Sequence, residues 1–174
     1  PLIDEFVERI AEPLDLDWTK GTLALNGLNG TASLVAIPLA ARLNLDVRWM
    51  TGEDTGLPMA GPDPLKPPLA AQMSAFVRTS RAGVGVAWDG DADRCVFFDE
   101  AGALVPNAYV MAMMADHFLK DAENPCVVYD PKLVLSIQKS VSRHGGHGVR
   151  VATAAAHTRA PQPHTDVSYA GFCS

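Results

Sequence analysis

Residues 83–102 read GVGVAWDGDADRCVFFDEAG. An apolar run of strand length, Val84–Trp88, ends in three aspartates at alternate positions. These are Asp89, Asp91 and Asp93, and Arg94 follows directly. Like charges this close repel, and more strongly where water is partly excluded. Solvent, a metal ion or a cationic partner must compensate. In extended or turning backbone, residues two apart point to the same side, so the three carboxylates can converge. A helix would splay them. Oxygen donors with no nearby His or Cys suit a hard cation such as Mg²⁺. The end of an apolar strand is also where α/β sheets place their sites.

Three rival readings of the stretch are weighed. A solvated acidic loop is the better reading of a lone Asp-x-Asp, but three aspartates in register after a buried strand, with Arg94 attached, favour a metal. An EF-hand loop would place Glu100 at its twelfth position, yet its sixth needs Gly and holds Arg94, and the flanks read as strands. An aspartyl-nucleophile phosphatase would use Asp89 to attack phosphorus and Asp91 as acid and base. That leaves Asp93 and Arg94 without a role.

Outward from this stretch, strand and helix patterns alternate. LIDEFVERI has helical periodicity through Ile3, Phe6, Val7 and Ile10. GTLALNG is a strand running into a turn at Asn26–Gly27. A helix follows from Thr31, a candidate cap, to Leu43, with Pro38 inside it, and Ser33 caps or packs it. LDVRWM alternates as a strand. The Pro- and Gly-rich segment at residues 51–69 reads as a long functional loop. AAQMSAFVRTSR is a helix with Met73, Phe76 and Val77 inward. CVFFDEAGALV is a hairpin turning at Glu100–Gly102, and a helix follows with Pro106 near its start. A second α/β unit then begins: CVVYD a strand, LVLSIQKSVSRHGG a helix stopping at Gly145–Gly146, GVRVAT a strand.

Of the 174 residues, 48% are hydrophobic, enough for a sizeable core. The net charge of -6 and the lack of a long basic run argue against nucleic acid as a partner. No transmembrane stretch or signal pattern is visible, so no membrane partner is expected. Cys95, Cys126 and Cys173 are odd in number and widely spaced, which fits a reducing cytoplasm. The chain opens at Pro1 and is read as a segment of a longer protein.

The DGDADR stretch resembles the metal-binding loop of the α-D-phosphohexomutases, the phosphomannomutase/phosphoglucomutase family. GEDTGLPMAGPDPL is similar to that family's upstream Pro-rich segment, and LALNGLNGTAS to the strand and turn opening its second domain. VVYDPKLVLSIQKSV resembles the start of its third domain. The resemblance runs from Gly21 to Ala152, with a weaker echo to Ser174.

The resemblance implies a four-domain enzyme. A phosphoserine in its first domain phosphorylates a hexose monophosphate, and a bisphosphate intermediate returns the other phosphate, so phosphate moves between the 1- and 6-positions. Mg²⁺ would be held by Asp89, Asp91, Asp93 and the phosphoserine. Arg94 would add charge for phosphoryl transfer, since its planar fork suits phosphate. The resemblance also implies departures. The serine domain and the fourth, phosphate-binding domain are absent. Of the family's Lys-x-Gly-His only His157 matches, Ala154 standing at the lysine position. Of its Gly-Glu-x-Ser, Phe172 replaces the sugar-binding Glu and Ser174 matches. His157 and Ser174 are therefore the substrate-binding candidates. His117, His144, His147 and His164 are read as incidental, Met111, Met113 and Met114 as core, and Trp88 as packing the strand end.

The expected architecture is thus a mixed-sheet α/β domain of phosphohexomutase type followed by an incomplete second α/β unit. Residues 1–20 form a linker helix, 21–122 the metal-loop domain and 123–174 a partial sugar-recognition domain. The expected function is that of a segment of a cytoplasmic hexose-phosphate mutase using Mg²⁺, inactive alone, with hexose phosphate and the missing domains as partners. The alternatives are a non-catalytic remnant and the aspartyl-nucleophile phosphatase. The altered Ala154 and Phe172 leave the choice of hexose open.

Overall fold

The computed structural model describes residues 2–14, 21–51, 61, 63–122, 126–129 and 134–151. These fall into two compact units, divided between Val105 and Pro106.

In the first unit, strand β1 (Leu23–Asn26) lies between β2 (Val47–Thr51) and β3 (Val84–Trp88), parallel to both. Strand β4 (Cys95–Phe98) runs antiparallel to β3, and β5 (Leu104–Val105) antiparallel to β4, giving the order β2-β1-β3-β4-β5. The sheet is mixed, as the sequence predicts. Helix α2 (Ala32–Arg42) carries the chain from β1 out to β2, and α3 (Pro67–Ser80) brings it back across β1 to β3. With right-handed crossovers, that reversal of direction puts the two helices on opposite faces. It also makes the carboxyl ends of β1 and β3 a topological switch point, the usual place for a site in an open α/β sheet.

Helix α3 starts with Pro67 and Pro68, whose missing N–H groups cost nothing in a first turn. It ends at Arg81, whose left-handed φ of 52° stops the helix. Met73 and Val77 on its inner face join Ala24, Ala87, Val96 and Phe98 in the core of this unit. Phe76, expected inward with them, is only partly buried at its margin. The space here is tight: a Cβ on Gly85 of β3 would meet Val77 Cγ2 at 2.3 Å.

Helix α1 (Leu2–Ala11) packs on α2, with an Arg42 Nε–Glu8 Oε1 ion pair of 2.8 Å across them. Burial follows only part of the periodic set. Val7 and Ala11 are buried, whereas Ile3 and Phe6 are 41% and 51% exposed. The buried stripe is narrower than the apolar pattern among the described residues. At the far edge, Asp99 Oδ1 accepts hydrogen bonds from Ala101 N (3.0 Å) and Ala103 N (2.7 Å), closing the β4–β5 turn at its predicted place.

In the second unit, β6 (Cys126–Tyr129) and β7 (His147–Arg150) are parallel, and α5 (Val134–Arg143) connects them. By packing, α4 (Asn107–Leu119) belongs with this unit. The division expected at residue 122 followed strand–helix order instead of packing. Ala115 and Leu119 of α4 share a core with Val127, Tyr129, Ile137 and Val141. Asp116 clamps the helix pair, accepting from Arg143 Nη1 at 2.7 Å and sitting 3.2 Å from His144 Nε2. His144, read as incidental, is therefore part of the α4–α5 contact. Met111 packs against this core as expected, but Met113 and Met114 are 71% and 41% exposed. Met113, two positions from Met111, lies off the face that Met111 presents to the core. Among the described residues, no helix is long and apolar enough to cross a membrane.

Candidate metal centre

Strand β3 ends at Trp88, and the chain turns back to β4 at Cys95. The turn is held from inside. Asp89 N donates to Arg94 O (3.2 Å), and Ala92 N to Asp89 O (3.2 Å). Ala92 takes a left-handed φ of 61°, uncommon for a residue with a Cβ, and this tightens the loop. The Asp89 side chain, 1% exposed, accepts from Arg94 N at Oδ1 (3.1 Å) and from Arg94 Nε at Oδ2 (2.6 Å). Arg94 Nε also lies 3.3 Å from Asp93 Oδ1, and the guanidinium is 59% exposed.

Asp89, Asp91 and Asp93 each bring a carboxylate oxygen within 4.8 Å of the others'. Asp89 is buried; Asp91 and Asp93 are exposed. The convergence expected of extended or turning backbone is therefore present, and the backbone that brings it about is a tight turn. The electrostatics divide the three. Burial pushes the Asp89 carboxyl up, and the Arg94 backbone N–H, a hydrogen bond with Asp93 and the Arg94 guanidinium overcome this, holding it below the ordinary carboxylate range. Asp93 is held above that range, first by its hydrogen bond with Asp89, then by burial and by the charges of Asp89 and Asp91. A raised carboxyl beside two others marks negative charge that one arginine does not neutralise. Three converging oxygen donors with residual negative charge fit a hard divalent cation such as Mg²⁺. Asp89 keeps lone pairs for such an ion despite its bonds to Arg94.

The neighbouring loop at the same sheet edge follows β1. The whole stretch Ala24–Gly30 is buried. Asn26 Oδ1 accepts from Leu28 N (2.9 Å), Leu28 and Asn29 take left-handed φ values of 49° and 57°, and Gly30 N donates to Gly27 O (2.8 Å). Thr31 makes no side-chain cap to α2, contrary to expectation. Its N–H instead donates to Gly90 O at 3.1 Å, inside the aspartate loop. Ser33 is structural, as read: it is buried, and its Oγ donates to Gly30 O at 2.8 Å. The approach of the two loops was not read from the sequence. The doubled Asn-Gly of NGLNG, Asn26–Gly30, signals a turn there and carries no mark of its partner.

Trp88, read as packing the strand end, lines an apolar groove with Ile3, Phe6, Leu34 and Leu39. Cys95 follows Arg94, and burial, then the charge of Asp89, raises its thiol. His157 and Ser174 lie outside the described residues, as do Ala154, Phe172 and most of the Pro-rich segment, residues 52–60 and 62.

Comparison with known proteins bears on the site. The sequence profile for "Phosphoglucomutase/phosphomannomutase, alpha/beta/alpha domain II" matches residues 4–102. A phosphomannomutase of Vibrio cholerae is 30% identical over 158 residues, which is 87% of this chain and 34% of that protein. A protein of Xanthomonas campestris described as phosphohexose mutases is 34% identical over 125 residues, 71% of this chain and 28% of its own length. Among solved structures, a phosphoglucomutase/phosphomannomutase family protein of Burkholderia thailandensis superposes with a TM-score of 0.78 at 25% identity, covering 87% of this chain and 33% of that one. The chain thus spans about a third of the length of the curated relatives it matches.

Proposed function

Because the chain belongs to the phosphoglucomutase/phosphomannomutase family, we propose that it supplies the cation-holding part of a cytoplasmic phosphohexomutase moving phosphate between the 1- and 6-positions of a hexose. The observation that carries the reading is the convergence of the Asp89, Asp91 and Asp93 oxygens at the carboxyl end of β3.

Asp89, Asp91 and Asp93 would hold Mg²⁺. When bound, the ion supplies positive charge for the equatorial oxygens of a transferring phosphoryl group, which need charge neutralisation more than covalent help. Asp89 also anchors Arg94 and so fixes the loop from below. Arg94, tied to Asp89 and Asp93 through Nε and more than half exposed, can present its outer N–H groups to a phosphate while the anchor holds. The aspartyl-nucleophile reading fares worse. It uses Asp89 and Asp91 alone and leaves Asp93 and Arg94 without a role, although both are part of the same cluster.

His157 and Ser174 remain the candidates for binding substrate, but these residues provide no phosphoryl carrier, so the chain alone is expected to be inactive. Two measurements test the proposal. Free Mn²⁺, followed by its EPR signal, should decrease on adding the chain, and Asp91→Ala should abolish the decrease. The chain alone should not convert mannose 1-phosphate to mannose 6-phosphate with Mg²⁺ and catalytic hexose bisphosphate. Equal Mn²⁺ binding by Asp91→Ala shows that the loop is not the site. Robust turnover by the chain shows that the phosphoryl carrier lies within it.

A further inference from the structure

The aspartate loop does not hold its shape alone. From the contact between the two switch-point loops, we infer that the backbone of Gly30 and Thr31 is the positioning element of the cation centre, acting through the carbonyl of Gly90. The inference rests on the reading that Asp89, Asp91 and Asp93 hold a cation.

Gly30 lies against Gly90 with no space between them. A Cβ at Gly30 would sit 2.3 Å from Gly90 O and 2.9 Å from both its C and Cα. All three are backbone atoms, so no flexible side chain can move aside. The φ of Gly30 is not in the left-handed region, since it is missing from the positive-φ residues. Glycine is therefore required here for closeness and not for conformation. Beside it, Thr31 N donates to the same Gly90 oxygen at 3.1 Å, while Thr31 Oγ1 lies 3.5 Å away.

The loop is gripped by a rigid partner. The Gly27–Gly30 turn is buried and bonded at both ends, by Asn26 Oδ1 to Leu28 N and by Ser33 Oγ to Gly30 O. Gly90 sits between Asp89 and Asp91, so fixing its carbonyl fixes the Gly90–Asp91 peptide, and with it the path from a buried ligand candidate to an exposed one. The turn at Ala92, with its unfavourable φ of 61°, then follows within two residues. Groups that hold metal ligands in place typically change affinity by about 10–100-fold when lost.

The test is Mn²⁺ affinity of the 174-residue chain, read by EPR, with circular dichroism to establish folding. Mn²⁺ serves because it accepts the same oxygen donors as Mg²⁺. Gly30→Ala pushes the two loops apart. Thr31→Pro removes both the N–H and the hydroxyl that reach Gly90, while the Thr31 φ of -67° already suits proline and the Thr31 carbonyl keeps its bond from Leu34 N. Gly85→Ala is the control, since its Cβ meets Val77 Cγ2 at 2.3 Å and so destabilises the same unit away from the loop. The expected result is Mn²⁺ binding weakened about tenfold or more by Gly30→Ala and Thr31→Pro, and unchanged by Gly85→Ala. In the wild type, Mn²⁺'s diamagnetic counterpart Mg²⁺ should slow hydrogen exchange at the Thr31 amide. That readout needs no variant and decides the matter if the variants fail to fold. Wild-type affinity in folded Gly30→Ala and Thr31→Pro overturns the inference, as does a Thr31 amide indifferent to Mg²⁺. If Asp91→Ala abolishes binding in that case, the cation reading itself survives. If the wild type binds no Mn²⁺, both fall.

Discussion

Asp89 and Asp91 are offered as ligands of the same ion, yet replacing each with Ala should do different things to the metal-free protein. Asp89 is 1% exposed and accepts from a backbone N–H at 3.1 Å and a guanidinium at 2.6 Å. A hydrogen bond to a charged group contributes about 1.5–3 kcal/mol. The guanidinium contact adds little, because Arg94 is more than half exposed and solvent screens the pair. Removing the buried charge returns part of this as relieved desolvation. Asp89→Ala should therefore cost about 2 kcal/mol, lowering the melting temperature by about 8–16 °C for a unit of this size. Asp91 is exposed, and its replacement should stay within about 0.5 kcal/mol of wild type. The assay is urea unfolding in EDTA, followed by circular dichroism, with Mn²⁺ affinity measured on the same samples. Asp89→Ala should lose both stability and affinity, and Asp91→Ala affinity alone. An Asp89→Ala protein as stable as wild type would refute the claim that this residue anchors the loop.

Asp93 should show the opposite pH dependence from Asp89. Its folded pKa is raised, so its stabilising contribution is complete below the ordinary carboxylate value and is lost as pH rises through the folded value. Asp93→Asn should thus gain stability over metal-free wild type between pH 4 and 7 and lose that advantage near about pH 3, checked by urea midpoints across the range. Asp89 is lowered, so its contribution is present at neutral pH and disappears as acid passes below the ordinary carboxylate range. Phe98→Ala removes one of the largest fully buried side chains and should cost about 3–5 kcal/mol with the metal-free Asp91 variant unaffected in comparison, read by the same unfolding curves.

The order of elements around the loop was legible because each carries its own local signal. Val84–Trp88 is apolar and short, Ala70–Arg81 is periodic, and Glu100–Gly102 is turn chemistry, whereas the helical start at Pro67–Pro68 was hidden inside a stretch that reads as loop. The three aspartates were legible as a site for the same reason: their spacing is local. What the sequence concealed is non-local. Nothing in GLNGT indicates that Gly30 will touch Gly90, because that contact exists only once β1 and β3 lie side by side. The exposure of Ile3 and Phe6 was hidden likewise, since a helical stripe shows which residues could be buried and not how wide a neighbour covers them. Helix α4 follows the first sheet in sequence but packs with α5, and periodicity carries no address for its partner.

The pairing of β1 with β3 also sets when the centre can come into being. Leu23–Asn26 must find Val84–Ala87 across the intervening α2, β2 and α3, whereas the β3–β4 hairpin closes over a few residues. Short closures form quickly and long ones slowly, because the entropy of ordering the intervening chain is lost before the contact repays it. During synthesis the hairpin bearing all three aspartates would therefore take shape early, while its grip from the β1–α2 turn waits for the central strands to meet. A chain stalled at that stage carries its carboxylates in a loop whose backbone nothing yet holds, and cation capture then reports completion of the sheet.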